Sequence, residues 1–548
     1  MSLFFSWLKY LGYVILVFWC GLLLAQKIDL PVADLGRHLT NGSVMVHGTQ
    51  AEKYQVLYTN FYSYAEPEHT FINHHWLSGV VFYWIYVVGG FVGLSVFYIG
   101  LVSLAFGLAL KTAEHWSSPA CALGVGILVL PLIAQRAEIR PEGWTYLFLV
   151  LFYWLLSQKY IYEKSKTWVA ILPGCMLLWV NFHIGFIFGF LILGCFWLEK
   201  LWGVWQAKIN NSQVAVSRRE FYILSAVFAG CGLAGLINPF GWHGIVYPLN
   251  IFREYGYRIV ENQSVSFLEN LGIVQNMHFG WFKFLVVLTI LSFVGVAIKH
   301  KVTRKFQTFS IIQFGLWVVI TFLAYMAIRN FPVFGFIVLP ILAKNIYELW
   351  PKSEHLAYKI VPAVIVGSLF FFGSLLFWRN IQTYGQKFGV GLLPGVEAAA
   401  EFYKTQQLAG PVFNNYDIGG YLIYGLSQTN RRGSKPPMGT EYQVVYTDNR
   451  PEAYSLAHFQ TEYIPAQEDD LKWQDLMHKY QFNVIFFSRR DLTPWGQKFL
   501  VTRIQDALWA PVFVDAYNII FMKRDNPANA EIIKKFELPK NLFGLSQN

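Results

Sequence analysis

The chain has 548 residues, of which 55% are hydrophobic, 18% aromatic and only 14% charged, with a mean hydropathy of +0.38. A soluble chain carries about 25% charged residues, so one water-facing globule is excluded. The net charge of +10 reads as basic loops on one membrane face plus a basic outer domain, which favours anionic lipid over nucleic acid as a partner.

Apolar stretches of bilayer depth, at a rise of about 1.5 Å per residue, recur along the chain. They lie near 5–25, 77–110, 120–134, 144–158, 167–180, 184–198, 221–237, 282–298, 309–327, 331–349 and 360–378. About eleven spans are therefore predicted. The stretch 77–110 exceeds one straight crossing and predicts an interfacial part. Trp76, Trp144, Trp179 and Trp242 stand near segment ends, where amphipathic rings favour the headgroup layer.

Lys and Arg crowd 111–119, 159–166, 199–220, 299–308 and the stretch around 344–359, which marks those loops as cytoplasmic. The N-terminus is then inside and the C-terminal part outside. The first apolar run lacks a small-residue cleavage site and reads as a retained span. Residues 1–379 are expected to form a helical membrane domain with long outer loops at 26–75 and 238–281.

Residues 380–548 are expected to form a small extracytoplasmic α/β domain. Helices are predicted over 392–407 and 469–480, a glycine-containing turn into a helix over 416–426, strands over 411–414 and 483–487, and a terminal hairpin over 511–515 and 519–523. Cys20, Cys121, Cys175, Cys195 and Cys231 all lie in or beside spans, so the outer domain is not a disulfide scaffold. No dinucleotide or P-loop glycine pattern occurs in it.

Candidate chemistry gathers at the outer ends of spans. Asp34 follows the first span and is suited either to proton removal from a hydroxyl or to a divalent cation such as Mg or Mn; Arg37 and His38 suit phosphate or sugar hydroxyls. His74 and His75 precede the second span and suit metal ligation, a proton shuttle or headgroup anchoring; joint ligation needs a turn, because adjacent helical positions do not share a face. Arg136, Arg140 and Arg329 stand at the outer surface against the usual bias, which calls for a phosphate or for carboxylate partners such as Glu138 and Glu142. Asn181 and His183, and Asn238 with Trp242 and His243, break helices at a common depth; they suit a sugar, or simple helix termination with a Trp anchor.

These runs together carry a resemblance that covers nearly the whole chain. Asp34-Leu35-Gly36-Arg37-His38-Leu39 with Gly42, Asn73-His74-His75-Trp76-Leu77, Arg140-Pro141-Glu142, Trp179-Val180-Asn181-Phe182-His183, Asn238-Pro239-Phe240-Gly241-Trp242, Arg329-Asn330 and Val412 to Leu422 resemble a family of bacterial multi-spanning proteins. That family is similar to glycosyltransferases of the GT-C fold, which take sugars from polyprenyl phosphate or diphosphate carriers.

The resemblance implies a transferase in the bacterial inner membrane, acting on a polyprenyl-phosphate-linked sugar and on an outer glycan, lipid or protein acceptor. Asp34 is then the general base of an inverting transfer or a metal ligand, with the carrier phosphate on Arg136, Arg140 or Arg329. Tyr416, Asp417 and the turn Asp448-Asn449-Arg450 are expected to cover the site or receive the acceptor. The chain departs from the family in two places: Val32 and His75 stand where acids are usual, and Glu52, Glu66 or Glu68 could substitute. A flippase or transporter of lipid-linked or anionic substrates, and a non-catalytic scaffold, are the competing readings.

Overall fold

The computed structural model describes residues 2–158, 166–209, 214–251, 255–272, 278–303, 311–350, 357–427 and 442–543. Parts of the expected basic loops (159–165, 210–213, 304–310, 351–356) and of the outer loop 238–281 (252–254, 273–277) lie outside the described residues.

An α-helix covers each expected apolar stretch. They are Ser2–Leu24, Trp76–Trp116, Pro119–Ile133, Glu142–Ser157, Lys166–Phe182, Ile187–Ile209, Val214–Gly235, His278–Thr303, Ile311–Met326, Phe331–Leu349 and Ala357–Tyr384. Helices satisfy every backbone group internally, which apolar surroundings demand. Five runs among the described residues are long and apolar enough to cross a membrane: Trp7–Leu24, Trp76–Trp116, Ile184–Trp205, His278–Val302 and Ile328–Leu349. Within Trp76–Trp116, Gly90 takes φ 61° and ψ −157° and splits the run into two helices, a conformation that glycine adopts without a Cβ penalty.

The chain packs as two compact units. The first comprises Met1–Gln26, Ser95–Ile245 and Arg258–Gly389; the second comprises Lys27–Leu94, Val246–Tyr257 and Val390–Asn548. In the first unit the helix Phe331–Leu349 packs on Pro119–Ile133 and is buried over most of its length.

In the second unit a four-stranded sheet runs β1 (Val412–Asn414), β2 (Val484–Ser488), β3 (Trp509–Val514) and β4 (Asn518–Lys523), in the spatial order β1-β2-β4-β3. β1 and β2 are parallel and the other pairs antiparallel. Phe413, Tyr446, Tyr463, Trp473, Phe482, Phe487 and Phe499 form its aromatic core, each large ring contributing about 1.5–3 kcal/mol on burial. The expected helix over 392–407 is shorter, Ala398–Thr405. Pro394 and the positive φ of Gly391 (81°) and Gly395 (76°) hold its first part out of helical geometry.

The first outer loop belongs to this second unit. Ser63 Oγ donates to the Tyr446 carbonyl at 3.0 Å, Tyr64 Oη to the Val412 carbonyl at 2.8 Å, and Arg490 grips Asp29 through both terminal nitrogens at 2.8 and 2.6 Å. Helix Leu35–His47 meets helix Gly419–Leu426 where Gly36 faces Gly420. A Cβ on Gly36 would lie 2.5 Å from the Gly420 carbonyl oxygen, so this close crossing requires glycine.

Candidate functional site

Asp34 stands at the N-cap of Leu35–His47, yet its side chain makes no capping hydrogen bond. Asn449 of the outer domain takes it instead, donating Nδ2 to Asp34 Oδ1. Arg37 Nε donates to Asn449 Oδ1 at 3.4 Å, and Arg37 Nη2 lies 3.9 Å from Asp34 Oδ1. One amide thus spans the acid and the base of the first loop. Arg37 is almost wholly buried, and its Nη1 meets no acceptor among the described residues. The groups facing Asp34 Oδ1 are donors, whereas a hard cation needs convergent oxygens. Among the described residues no group of three or more His, Cys, Asp or Glu has metal-holding geometry. Asp34 Oδ1 is thus turned to donors, and Asp417 is near enough to be raised by the Asp34 charge.

The turn that carries Asn449 is itself pinned. Buried Arg450 donates Nε to Asp448 Oδ1 at 2.8 Å and Nη2 to Asp448 Oδ2 at 2.5 Å and to Asn60 Oδ1 at 2.7 Å. Its guanidinium lies 4.8 Å from the ring centre of Phe71. Two further carboxyls stand nearby. Burial, then Asp491 and Asp34, push Asp417 up to about 7; burial pushes Glu452 up to about 7 against the pull of Arg37 and Arg450. Glu452 carried no sequence signal, because only the fold sets it beside Arg37.

His74 and His75 lie in the turn before Trp76 rather than on the helix. Their rings are 3.8 Å apart, and His38 meets His75 edge-on at 5.1 Å. His74 Nδ1 lies 3.2 Å from the Ile72 carbonyl; that oxygen only accepts, so the ring proton sits on Nδ1.

In the first unit the three outer arginines are brought together, and carboxylates meet them. Glu142, buried at the start of its helix, accepts from Arg136 Nε and Nη2 at 3.2 and 3.1 Å and from Arg329 Nη2. Glu261, on the short turn Val260–Asn262, lies between Arg136 and Arg140. Burial raises the Glu261 carboxyl, but the Arg136 and Arg140 guanidiniums outweigh it and hold it at about 2. Arg140 also pairs with Glu138 at 2.9 Å, and Arg329 Nη1 donates to Asn262 Oδ1 at 2.9 Å. Glu261 was not singled out in the sequence, although three outward arginines called for counter-charges.

The remaining polar breaks have hydrogen-bond partners close by. Asn181 donates to the Leu177 and Ile237 carbonyls at 2.8 and 2.9 Å. Asn238 closes its own turn, donating to Gly235 and Gly241 and accepting from Phe240 N at 2.8 Å, while Trp242 is 63% exposed. His183 Nδ1 accepts from Gly185 N at 3.0 Å and lies 2.8 Å from Thr145 Oγ1, which accepts from Trp179 Nε1 at 3.0 Å. The His183 ring proton is therefore on Nε2, and burial pushes the imidazole down to about 4, leaving it neutral.

No family model and no curated protein matches the sequence. Solved structures do. The oligosaccharyltransferase of Archaeoglobus fulgidus, tethered to an acceptor peptide containing the NVT sequon, superposes with a TM-score of 0.54 at 11% identity, over 96% of this chain and 76% of that one. The fold is GT-C. The archaeal oligosaccharyltransferase AglB from Archaeoglobus fulgidus, in complex with an inhibitory peptide and a dolichol-phosphate, gives 0.51 at 10% identity over 95% and 75%. ArnT from Cupriavidus metallidurans bound to undecaprenyl phosphate gives 0.46 at 13% over 94% and 98%, too loose a likeness to add to the GT-C assignment. At these identities the likeness speaks for the GT-C fold alone.

Proposed function

We propose that this chain is an integral membrane glycosyltransferase that moves a sugar from a polyprenyl phosphate or diphosphate carrier to an extracytoplasmic acceptor. The observation that carries the reading is Asp34, a carboxylate released from helix capping and oriented by Asn449. Its fixed orientation suits a general base. In the proposed reaction Asp34 takes the proton of an acceptor hydroxyl, the hydroxyl oxygen bonds to the anomeric carbon, and the bond from that carbon to the phosphate oxygen breaks. Attack opposite the leaving group inverts the anomeric centre.

The leaving phosphate takes the electron pair; grouped guanidiniums such as those of Arg136, Arg140 and Arg329 are of the kind that suits a phosphate's charge. His183, neutral with its proton on Nε2, is a donor for a phosphate or sugar oxygen. Support for the carrier class comes from the archaeal enzyme of the same fold, which is seen with a dolichol-phosphate and with an acceptor peptide. About eleven spans in a bacterial inner membrane, with a cytoplasmic N-terminus and the C-terminal domain outside, belong to the same reading.

A non-catalytic scaffold is the second reading, favoured by the carboxylates that already meet all three arginines. Membranes containing the protein, supplied with a panel of radiolabelled polyprenyl-phosphate sugars, decide between them. Label passing to an acceptor supports the transferase. Retained label without turnover supports the scaffold, and label crossing the bilayer unchanged supports a transporter.

A further inference from the structure

Glu261 is held in an unusual way. Arg136 meets it as one fork, Nη1 at 2.8 Å from Oε1 and Nη2 at 2.9 Å from Oε2. Arg140 meets it as a second, Nη2 at 3.0 Å from Oε1 and Nη1 at 3.1 Å from Oε2. A single carboxylate therefore takes two charge-assisted hydrogen bonds and two further ion-pair contacts from two guanidiniums. That is the arrangement by which paired arginines hold a phosphate, because the two oxygens of a phosphate edge match a guanidinium fork as a carboxylate does.

The two carboxylates of this cluster differ in how they are backed. Glu142 begins a long helix, its side chain is 8% exposed, and the Tyr146 hydroxyl lies 3.4 Å from it. Glu261 sits on a three-residue turn with its side chain 23% exposed. The turn's backbone is tied down, since Ile328 N donates to the Gln263 carbonyl at 3.3 Å and Arg329 holds Asn262. Release of Glu261 thus needs only rotation of its side chain, with the backbone in place. The charge count agrees: Arg136, Arg140 and Arg329 face Glu138, Glu142 and Glu261, so an oxyanion that replaced Glu261 would restore the balance it disturbs.

We infer that the Glu261 carboxylate is a built-in stand-in for a phosphate group: it fills the fork of Arg136 and Arg140 until a phosphate displaces it. The inference rests on the reading above that these arginines take the carrier phosphate, and it adds an internal competitor that sets how readily the carrier binds. Apparent affinity falls by the fraction of time the seat is open.

The test uses the full-length protein in nanodiscs, with undecaprenyl phosphate in one arm and inorganic phosphate in the other. Glu261→Gln, and Glu261→Ala as a second variant, should bind undecaprenyl phosphate about tenfold more tightly than the unaltered protein, while Arg140→Ala should bind it more weakly. A gain confined to undecaprenyl phosphate assigns the seat to the lipid carrier's head; an equal gain with inorganic phosphate assigns it to the phosphate group whatever bears it, and both support the stand-in. Unchanged or weaker binding by the Glu261 variants, with binding still lost in Arg140→Ala, overturns the stand-in and leaves the phosphate reading intact. Unchanged binding in Arg140→Ala overturns both. On the unaltered protein, undecaprenyl phosphate should increase carbodiimide labelling of Glu261, and unchanged or reduced labelling counts against displacement.

Discussion

Both units of the chain close buried ion pairs, Glu142 with Arg136 in the first and Asp448 with Arg450 in the second, but their candidate residues differ in setting. In the first, the three candidate arginines are met by carboxylates, so Arg136, Arg140 and Arg329 with Glu138, Glu142 and Glu261 form a neutral network. In the second, donors and carboxyls are left poised. Arg37 Nη1 is buried without an acceptor among the described residues, Asp34 caps nothing, and Asp417 and Glu452 hold their protons up to about 7. The lesson is that arginines at an outer surface do not by themselves mark an open ligand site; what matters is whether their partners can leave. Unsatisfied groups in a well-packed unit are the stronger pointer, because burial makes them costly to keep without a use.

The largest expected effects come from breaking one buried pair in each unit. Arg450→Ala strands Asp448, and Glu142→Ala removes the carboxylate of Arg329 and leaves Arg136 with Glu261 alone. Each should cost about 3–5 kcal/mol, read as a drop in melting temperature of the purified protein in detergent. A loss below about 1 kcal/mol in either would show that its network is solvated rather than closed. Next comes Gly36→Ala, whose added methyl meets the Gly420 carbonyl. Overpacking of this kind costs about 1–3 kcal/mol, and hydrogen exchange should rise locally in Leu35–His47 and Gly419–Leu426.

The pH response separates the units by sign. Asp417 and Glu452 have folded values raised from 3.8 and 4.5 to about 7, so at these two carboxyls the folded second unit binds more protons than the unfolded chain between about 4 and 7, two groups against buried His458, which burial pushes down to about 4 and which acts in the opposite sense. Its stability should fall as pH rises through that window and level off above it. Glu261 is held down, from 4.5 to about 2; its contribution is present above 4.5 and is lost as pH falls towards 2. Protection against hydrogen exchange, corrected for the intrinsic pH dependence of the exchange rate, should therefore fall in 255–270 on acidification below about 4.5, and rise in 416–426 and 446–455 from pH 7 to pH 5. A common sign in both regions would break the comparison. Smallest of all, Trp242→Ala should leave stability within about 0.5 kcal/mol, since the ring is mostly exposed.

Much of this architecture was legible in the residues. Bilayer-length apolar runs forecast a helix at each of the eleven stretches, and short apolar runs rich in β-branched and aromatic residues forecast all four strands, because local hydropathy and β-propensity decide both. The run Asp34-Leu35-Gly36-Arg37-His38 was visible as a candidate, and so was the turn Asp448-Asn449-Arg450. Their direct contact was not, for Asn449 and Asp34 are 415 residues apart and only tertiary packing joins them. The arginines were legible too, with a phosphate or carboxylates as alternatives. Glu142 was within reach of that reading through its neighbour Arg140. Glu261 was hidden in an irregular loop that periodicity does not address. The helix expected from Leu392 failed at Pro394 and Gly395, whose turn chemistry overrides an apolar spacing.

The most direct test is glycosyl transfer from a polyprenyl-phosphate-linked sugar in membranes carrying either the unaltered chain or Asp34→Asn, an isosteric change that removes the base. The account predicts a loss of about 10²–10⁴-fold in rate, with melting temperature and undecaprenyl phosphate binding unchanged. Full transfer by Asp34→Asn, in protein that melts normally, would contradict it.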